Sequence, residues 1–145
     1  MLRFGEESRD MKEMQAIDVC ISRIKLLVIM SKAYLGNFPM GKYRRKAVID
    51  NAQVLAREAA HLKGLLVHFK AERGLEEEVD INRASHEDHV FHESVRLLSV
   101  MATAFAQGIP MDRYRRKALQ DTVDFIETAM VLNLDESDVT FLKVA

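Results

Sequence analysis

Two short stretches carry the residues whose types and spacing suggest chemistry: Lys42-Tyr43-Arg44-Arg45-Lys46 and Arg113-Tyr114-Arg115-Arg116-Lys117. A guanidinium holds phosphate or carboxylate through two parallel hydrogen bonds, and a lysine adds a mobile point charge. A tyrosine among such cations suits stacking against an unpaired base. The chemistry in view is therefore anion recognition. The anion is either an acidic protein surface or the phosphate backbone of RNA or DNA. A third use of the same residues is structural. Lys46 and Asp50, like Lys117 and Asp121, are spaced i, i+4 and would support a helix by a few tenths of a kcal/mol. The arginines would then pair with acids, including those of a neighbouring subunit, and the tyrosines would plug the end of the fold.

Other reactive side chains form weaker patterns. His86, His89 and His92 fall in one run with Glu93, while His61 and His68 lie further upstream. Glu58-Ala59-Ala60-His61 has the E-x-x-H form used in carboxylate-bridged di-metal bundles. That chemistry needs a second such motif, and the matching place in the chain holds Ala129 and Leu132. His86 and His92 are about 120° apart on a helical wheel, so they do not share a face. No metal or cofactor is expected. Cys20 corresponds to Phe91, a bulky apolar residue, and reads as a buried structural thiol rather than a nucleophile. The glycines are scattered at turns and form no phosphate loop. The expectation is a protein that is not an enzyme.

The elements that must position the cationic stretches come from a repeat. Residues 24–48 align with residues 95–119 at a constant offset of 71, with 11 of 25 positions identical. The identities include Pro39/Pro110, Met40/Met111 and Tyr43–Ala47 against Tyr114–Ala118. A fixed-period match sets the architecture before any local reading does.

Apolar residues recur at alternating steps of three and four. The first helix runs from about Ser8 or Asp10 to Leu35, with Met14, Ile17, Ile21, Ile24, Val28 and Leu35 inward and Ser31 in the one gap. Gly36-Asn37-Phe38-Pro39 stops it. A second helix opens near Pro39 or Met40 and buries Val48, Ala52, Leu55, Ala59, Leu62, Leu66 and Phe69, ending about Lys70 with Gly64 as a weak point. A third opens at Ser85 as N-cap, with Asp88 three residues on, and buries Phe91, Val95, Leu98, Ala102 and Phe105. A fourth runs from about Met111 to Val131 with Leu119, Val123, Ile126 and Met130 inward, and a short helix could follow Asp138.

The expected fold is one all-α domain over 1–145, an up-down-up-down four-helix bundle built from two repeated helical hairpins. The first repeat covers about 10–70, a charged linker about 71–84, and the second repeat about 85–134. In that arrangement both cationic stretches share one end. Segments 39–46 and 110–117 carry eight basic residues and one acid, Asp112, so a formal net charge of −1 conceals about +7 there and about −8 elsewhere. Acids crowd the linker (Glu72, Glu76, Glu77, Glu78, Asp80) and the tail (Asp135, Glu136, Asp138).

At 145 residues with 48% hydrophobic content the chain can bury a full core. The longest strongly apolar run, Leu26–Met30, is far too short to span a bilayer. One cysteine demands no oxidising compartment, and no secretory leader is visible, so a cytoplasmic protein without a membrane partner is expected. Leu26, Leu27 and Val28 widen the apolar face of the first helix, which points to a homo-oligomer.

A helix, an aromatic-Pro turn and a helix opening on basic residues occupy Phe38–Ala47 and recur in the repeat. Over that stretch the chain resembles the small four-helix bundles encoded in ribosomal RNA intervening sequences and the accessory proteins of diversity-generating retroelements. Nucleic-acid-binding members of those groups tend to be basic overall, whereas this chain is not, and no site residue follows from the likeness. The residues themselves suggest an adaptor that binds an acidic protein surface through Lys42, Tyr43, Arg44, Arg45, Lys46, Arg113, Tyr114, Arg115, Arg116 and Lys117, with nucleic-acid binding through the same clusters as the alternative.

Overall fold

A computed structural model describes residues 4–59 and 81–130. They form four helices and, among the described residues, no strand. The helices are α1 (Phe4–Leu35), α2 (Lys42–Ala59), α3 (Ile81–Ala106) and α4 (Arg113–Met130). Helix α2 packs against α3 and α1, α4 packs against α3 and α1, and α1 also meets α3. No helix among the described residues is long and apolar enough to cross a membrane.

The core is the set of seams that the three-four spacing marks. Ile24, Val28, Val48, Ala52, Leu55, Phe91, Val95, Leu98, Ala102, Leu119, Val123 and Ile126 are all within 1% of full burial. Helix α1 buries more than one stripe: Cys20, Leu27, Met30 and Ala33 join Ile21 and Ile24. The side chains of Met14, Ile17 and Ala59 lie outside the described set. So do Leu62, Gly64, Leu66, Phe69, residues 71–80 of the charged linker and the tail after Met130.

Four helix starts differ from the sequence expectation: α1 already runs at Phe4 instead of starting near Ser8 or Asp10, α4 starts at Arg113 instead of near Met111, and the starts of α3 and α2 shift as well. Helix α3 already runs at Ile81, so Ser85 sits inside the helix instead of capping it. Ser is only a mild helix former, and no Gly or Pro separates Ile81 from Ser85, so nothing forces a break there. Helix α2 starts at Lys42, leaving Pro39 and Met40 in the turn. Gly41 instead occupies the capping position, where its carbonyl accepts the Arg45 N–H at 3.0 Å.

The two turns that stop α1 and α3 make the same hydrogen bonds. Phe38 N–H reaches Ala33 O and Asn37 N–H reaches Tyr34 O, both at 3.0 Å. Ile109 N–H reaches Ala104 O and Gly108 N–H reaches Phe105 O, both at 3.1 Å. This six-to-one and five-to-two pattern needs one left-handed residue past the helix end. Asn37 (φ 61°) and Gly108 (φ 81°) supply it.

Ser31 and Ala102 are matched positions, and both are fully buried. The Ser31 hydroxyl has no hydrogen-bond partner. A buried unsatisfied hydroxyl costs about 1–3 kcal/mol. Ser31→Ala, which copies the second repeat, is expected to raise stability by about 1 kcal/mol; an unchanged or lower urea midpoint would show that the hydroxyl is satisfied in solution.

The cationic tip as candidate functional site

Helix starts position the cations. Asp112 is the N-cap of α4: its Oδ1 accepts the Arg115 N–H at 2.8 Å, and its carbonyl accepts the Arg116 N–H at 3.0 Å. Asp112→Ala is expected to cost about 1 kcal/mol. Gly41 holds the matching place in α2, and a Cβ there would meet nothing within 4 Å. Gly41→Asp is therefore expected to gain about 0.5–1 kcal/mol from the new cap and the stiffer chain. Thermal melts of both variants check the pair.

The two cationic helix starts lie together. Arg116 of α4 crosses to the turn after α1, where its Nη2 donates to Leu35 O at 3.0 Å and to Asn37 Oδ1 at 3.3 Å. Its guanidinium carbon sits 5.1 Å from the centre of the Tyr34 ring. Tyr34 stacks in turn on Phe105, its matched residue in the second repeat, with centroids 4.4 Å apart and planes 8° apart. Arg45 of α2 reaches the opposite way: its Nη1 lies 3.7 Å from where a Cβ on Gly108 would stand. Arg116 of α4 thus crosses to the turn between α1 and α2, and Arg45 of α2 to the turn between α3 and α4. Arg116 satisfies a carbonyl that the end of α1 leaves open, so this member of the expected site does structural work.

The remaining cations divide by environment. Lys117 pairs with Asp121 at 3.2 Å, both well exposed, a contact worth about 0–1 kcal/mol. Arg113 lies over the Tyr114 ring at 5.3 Å. Arg45 Nε donates to Met40 O at 3.1 Å. Arg44 is half-buried, and its Nη2 is enclosed without a partner. Lys42, Lys46 and Arg115 are exposed. Among the described residues, Lys117 alone of the eight cations is in an ion pair; Lys46 and Asp50 form none. The tyrosines do not plug the fold: Tyr43 is 86% exposed and Tyr114 is 74% exposed. Both sit on the outward side of their helices, away from the Val48 and Leu119 seams.

The other chemical groups fall elsewhere. His89 is exposed, and His92 Nε2 lies 3.5 Å from Asp88 Oδ2 one turn earlier on α3. His61 and His68 lie outside the described residues, as does the side chain of His86. No cluster of metal-binding side chains occurs among the described residues.

Cys20 is fully buried. Burial, and then the Glu58 carboxylate, push its thiol up to about 11, while Arg23 acts in the opposite direction. Arg23 Nη1 donates to Asn51 Oδ1 at 2.6 Å, tying α1 to α2 beside the thiol. A thiol with a raised pKa leaves stability intact below its unfolded value of 9.0 and lowers it as pH climbs towards 11. The wild type is expected to lose stability between pH 9 and 11 more steeply than Cys20→Ala, as read from urea midpoints across that range.

Sequence reasoning missed three contributors: the capping carboxylate of Asp112, the Tyr34–Phe105 stack, and the anchoring of Arg116 on Leu35 and Asn37. The first was readable, because an aspartate three residues before Arg115 is a strong N-cap signal. The other two depend on which helices meet. No family model matches the chain, and no curated protein or solved structure is significantly similar to it.

Proposed function

We propose that this protein is a non-enzymatic adaptor that binds an acidic protein surface through the cationic tip and self-associates. Its helices would form an up-down-up-down bundle of two repeated hairpins. The matched turn hydrogen bonds and the stacking of Tyr34 on Phe105 support that arrangement. The observation that carries the functional reading is the lack of internal neutralisation. Eight cations gather at one tip, and only Lys117 has a carboxylate partner among the described residues. Cations in the first turns of a helix oppose its dipole by about 0.3–1 kcal/mol each. An arriving carboxylate relieves that repulsion, and the complementary fields steer its approach. Self-association draws on Leu97 (44% exposed), Val100 (58%) and Phe125 (41%), large apolar side chains left open on α3 and α4.

One observation favours a second reading. Tyr43 and Tyr114 stand open beside arginines, as single-strand binders require. Contact with phosphates would make affinity fall linearly in log salt.

Affinity capture with wild type and Lys46→Glu/Arg115→Glu tests the primary reading. Both residues are exposed, so helicity should hold. Arg44 is a poorer choice because reversing a half-buried charge strains the fold. Loss of a specific protein partner at unchanged helicity supports the adaptor. An unchanged partner list overturns it, and loss of bound RNA or DNA instead favours the second reading.

A further inference from the structure

The two cationic corners are not equivalent, although their sequences nearly are. The α2 corner holds a depression of about 410 Å³ lined by Met40, Lys42, Arg45, Lys46 and Ile49. Met40 and Ile49 are half-buried, rest on the hydrophobic core, and form an apolar floor. Lys42, Arg45 and Lys46 form a cationic rim; none of them is in an ion pair among the described residues, although Arg45 Nε donates to Met40 O at 3.1 Å and Asp50 stands one turn along from Lys46.

The α4 corner has the same framework with its rim occupied. Arg116 is turned onto Leu35 and Asn37, and Lys117 is held by Asp121. Gln120 replaces Ile49 and bonds Asp124 at 2.8 Å, so the floor there is polar. Asp112 adds a carboxylate where α2 has Gly41.

We propose that the α2 corner is the docking pocket for a peptide segment that carries an apolar side chain between carboxylates. This rests on the reading of the tip as a binder of acidic protein surfaces, and narrows it to one corner and one chemistry. Charge complementarity selects the occupant. A nucleic acid strand would satisfy the rim, but Met40 and Ile49 give its bases no aromatic ring to stack on. A purely apolar segment would cover the floor and desolvate the cations without pairing them, which is costly. Carboxylates over Lys42, Arg45 and Lys46, with one aliphatic side chain on Met40 and Ile49, satisfy both. The apolar contact contributes affinity and the charges contribute orientation and rate.

The test is fluorescence anisotropy with a labelled peptide of two glutamates on either side of one leucine, against the full chain. Saturable binding is expected. Replacing the peptide leucine by alanine, or Ile49→Gln in the protein, should weaken it about tenfold, as expected for losing most of one buried aliphatic contact. Lys42→Glu/Lys46→Glu should abolish binding, and the matched Arg113→Glu/Lys117→Glu, which lowers the charge of the tip without touching the lining of the depression, should weaken it distinctly less. Equal loss from both double variants, or indifference to the leucine, overturns the pocket while leaving a generally acid-binding tip intact. No binding of this peptide, or of a polyglutamate chain run beside it, overturns both. Tighter binding of an oligonucleotide of similar length, insensitive to Ile49→Gln, also overturns the pocket and favours nucleic acid.

Discussion

Phe91→Ala is expected to lower the free energy of unfolding by about 3–5 kcal/mol. Among the described residues, Phe91 is the largest fully buried side chain. Its matched residue is Cys20, also fully buried. The space the ring leaves adds to its lost transfer energy. Against a domain stability of about 5–15 kcal/mol, the loss is a large fraction of the whole. Phe91→Leu, which keeps most of the volume, should cost well under half as much. Urea unfolding with an unchanged m-value is the measurement. A cost below about 1 kcal/mol for Phe91→Ala would show that the site is not close-packed.

Arg116→Ala is expected to cost about 2 kcal/mol, while Arg115→Ala stays within about 0.5 kcal/mol. The two residues are neighbours in sequence and alike in charge, so the contrast isolates geometry. Arg116 donates to Leu35 O and Asn37 Oδ1 and covers the Tyr34 ring. Its loss strands a carbonyl at the end of α1, removes a cation–π contact worth about 0.5–1 kcal/mol, and uncovers the ring. Arg115 is exposed, and its role in the cap uses only its backbone N–H. Arg116→Lys should recover less than half of the loss, because an ammonium cannot reproduce the planar guanidinium over the ring. Equal effects at the two positions would contradict the reading of Arg116 as a tie between α4 and the turn after α1.

The helices were legible because a periodic apolar seam needs no tertiary information. Val48, Ala52 and Leu55 fall on one face by spacing alone, and each is buried. The turn after α1 was legible too, because Asn37 and Gly108 are residue types that tolerate a left-handed backbone. The start of α3 was not, since Ser85 carries the same capping preference whether or not the helix has already begun. The division of labour among the arginines was least legible. Arg45 and Arg116 share one local sequence, Tyr-Arg-Arg-Lys-Ala, yet Arg116 meets an asparagine and a tyrosine across the tip while the partners matched to these are Gly108 and Phe105. A glycine offers no side-chain acceptor, so Arg45 lacks the counterpart of the bond from Arg116 to Asn37 Oδ1. The difference lies in residues that are distant along the chain, which no local pattern reports.

The depression beside Lys42 and Lys46 follows instead from differences close by in the chain. Ile49 against Gln120 changes the floor from apolar to polar, and Gly41 against Asp112 leaves one corner without an internal acid. On the proposed arrangement of two repeated hairpins, those few differences would leave one corner structural and the other open.

The measurement that bears most directly on the cationic tip is isothermal titration of polyglutamate into wild type and into Lys46→Glu/Arg115→Glu at about 50 mM salt, a concentration at which surface charges are weakly screened. Saturable binding by the wild type, lost in the double variant at unchanged helicity and weakened by added salt, is the predicted result. Absence of binding by the wild type, or equal binding by both proteins, would contradict the assignment of the tip as an acid-binding surface.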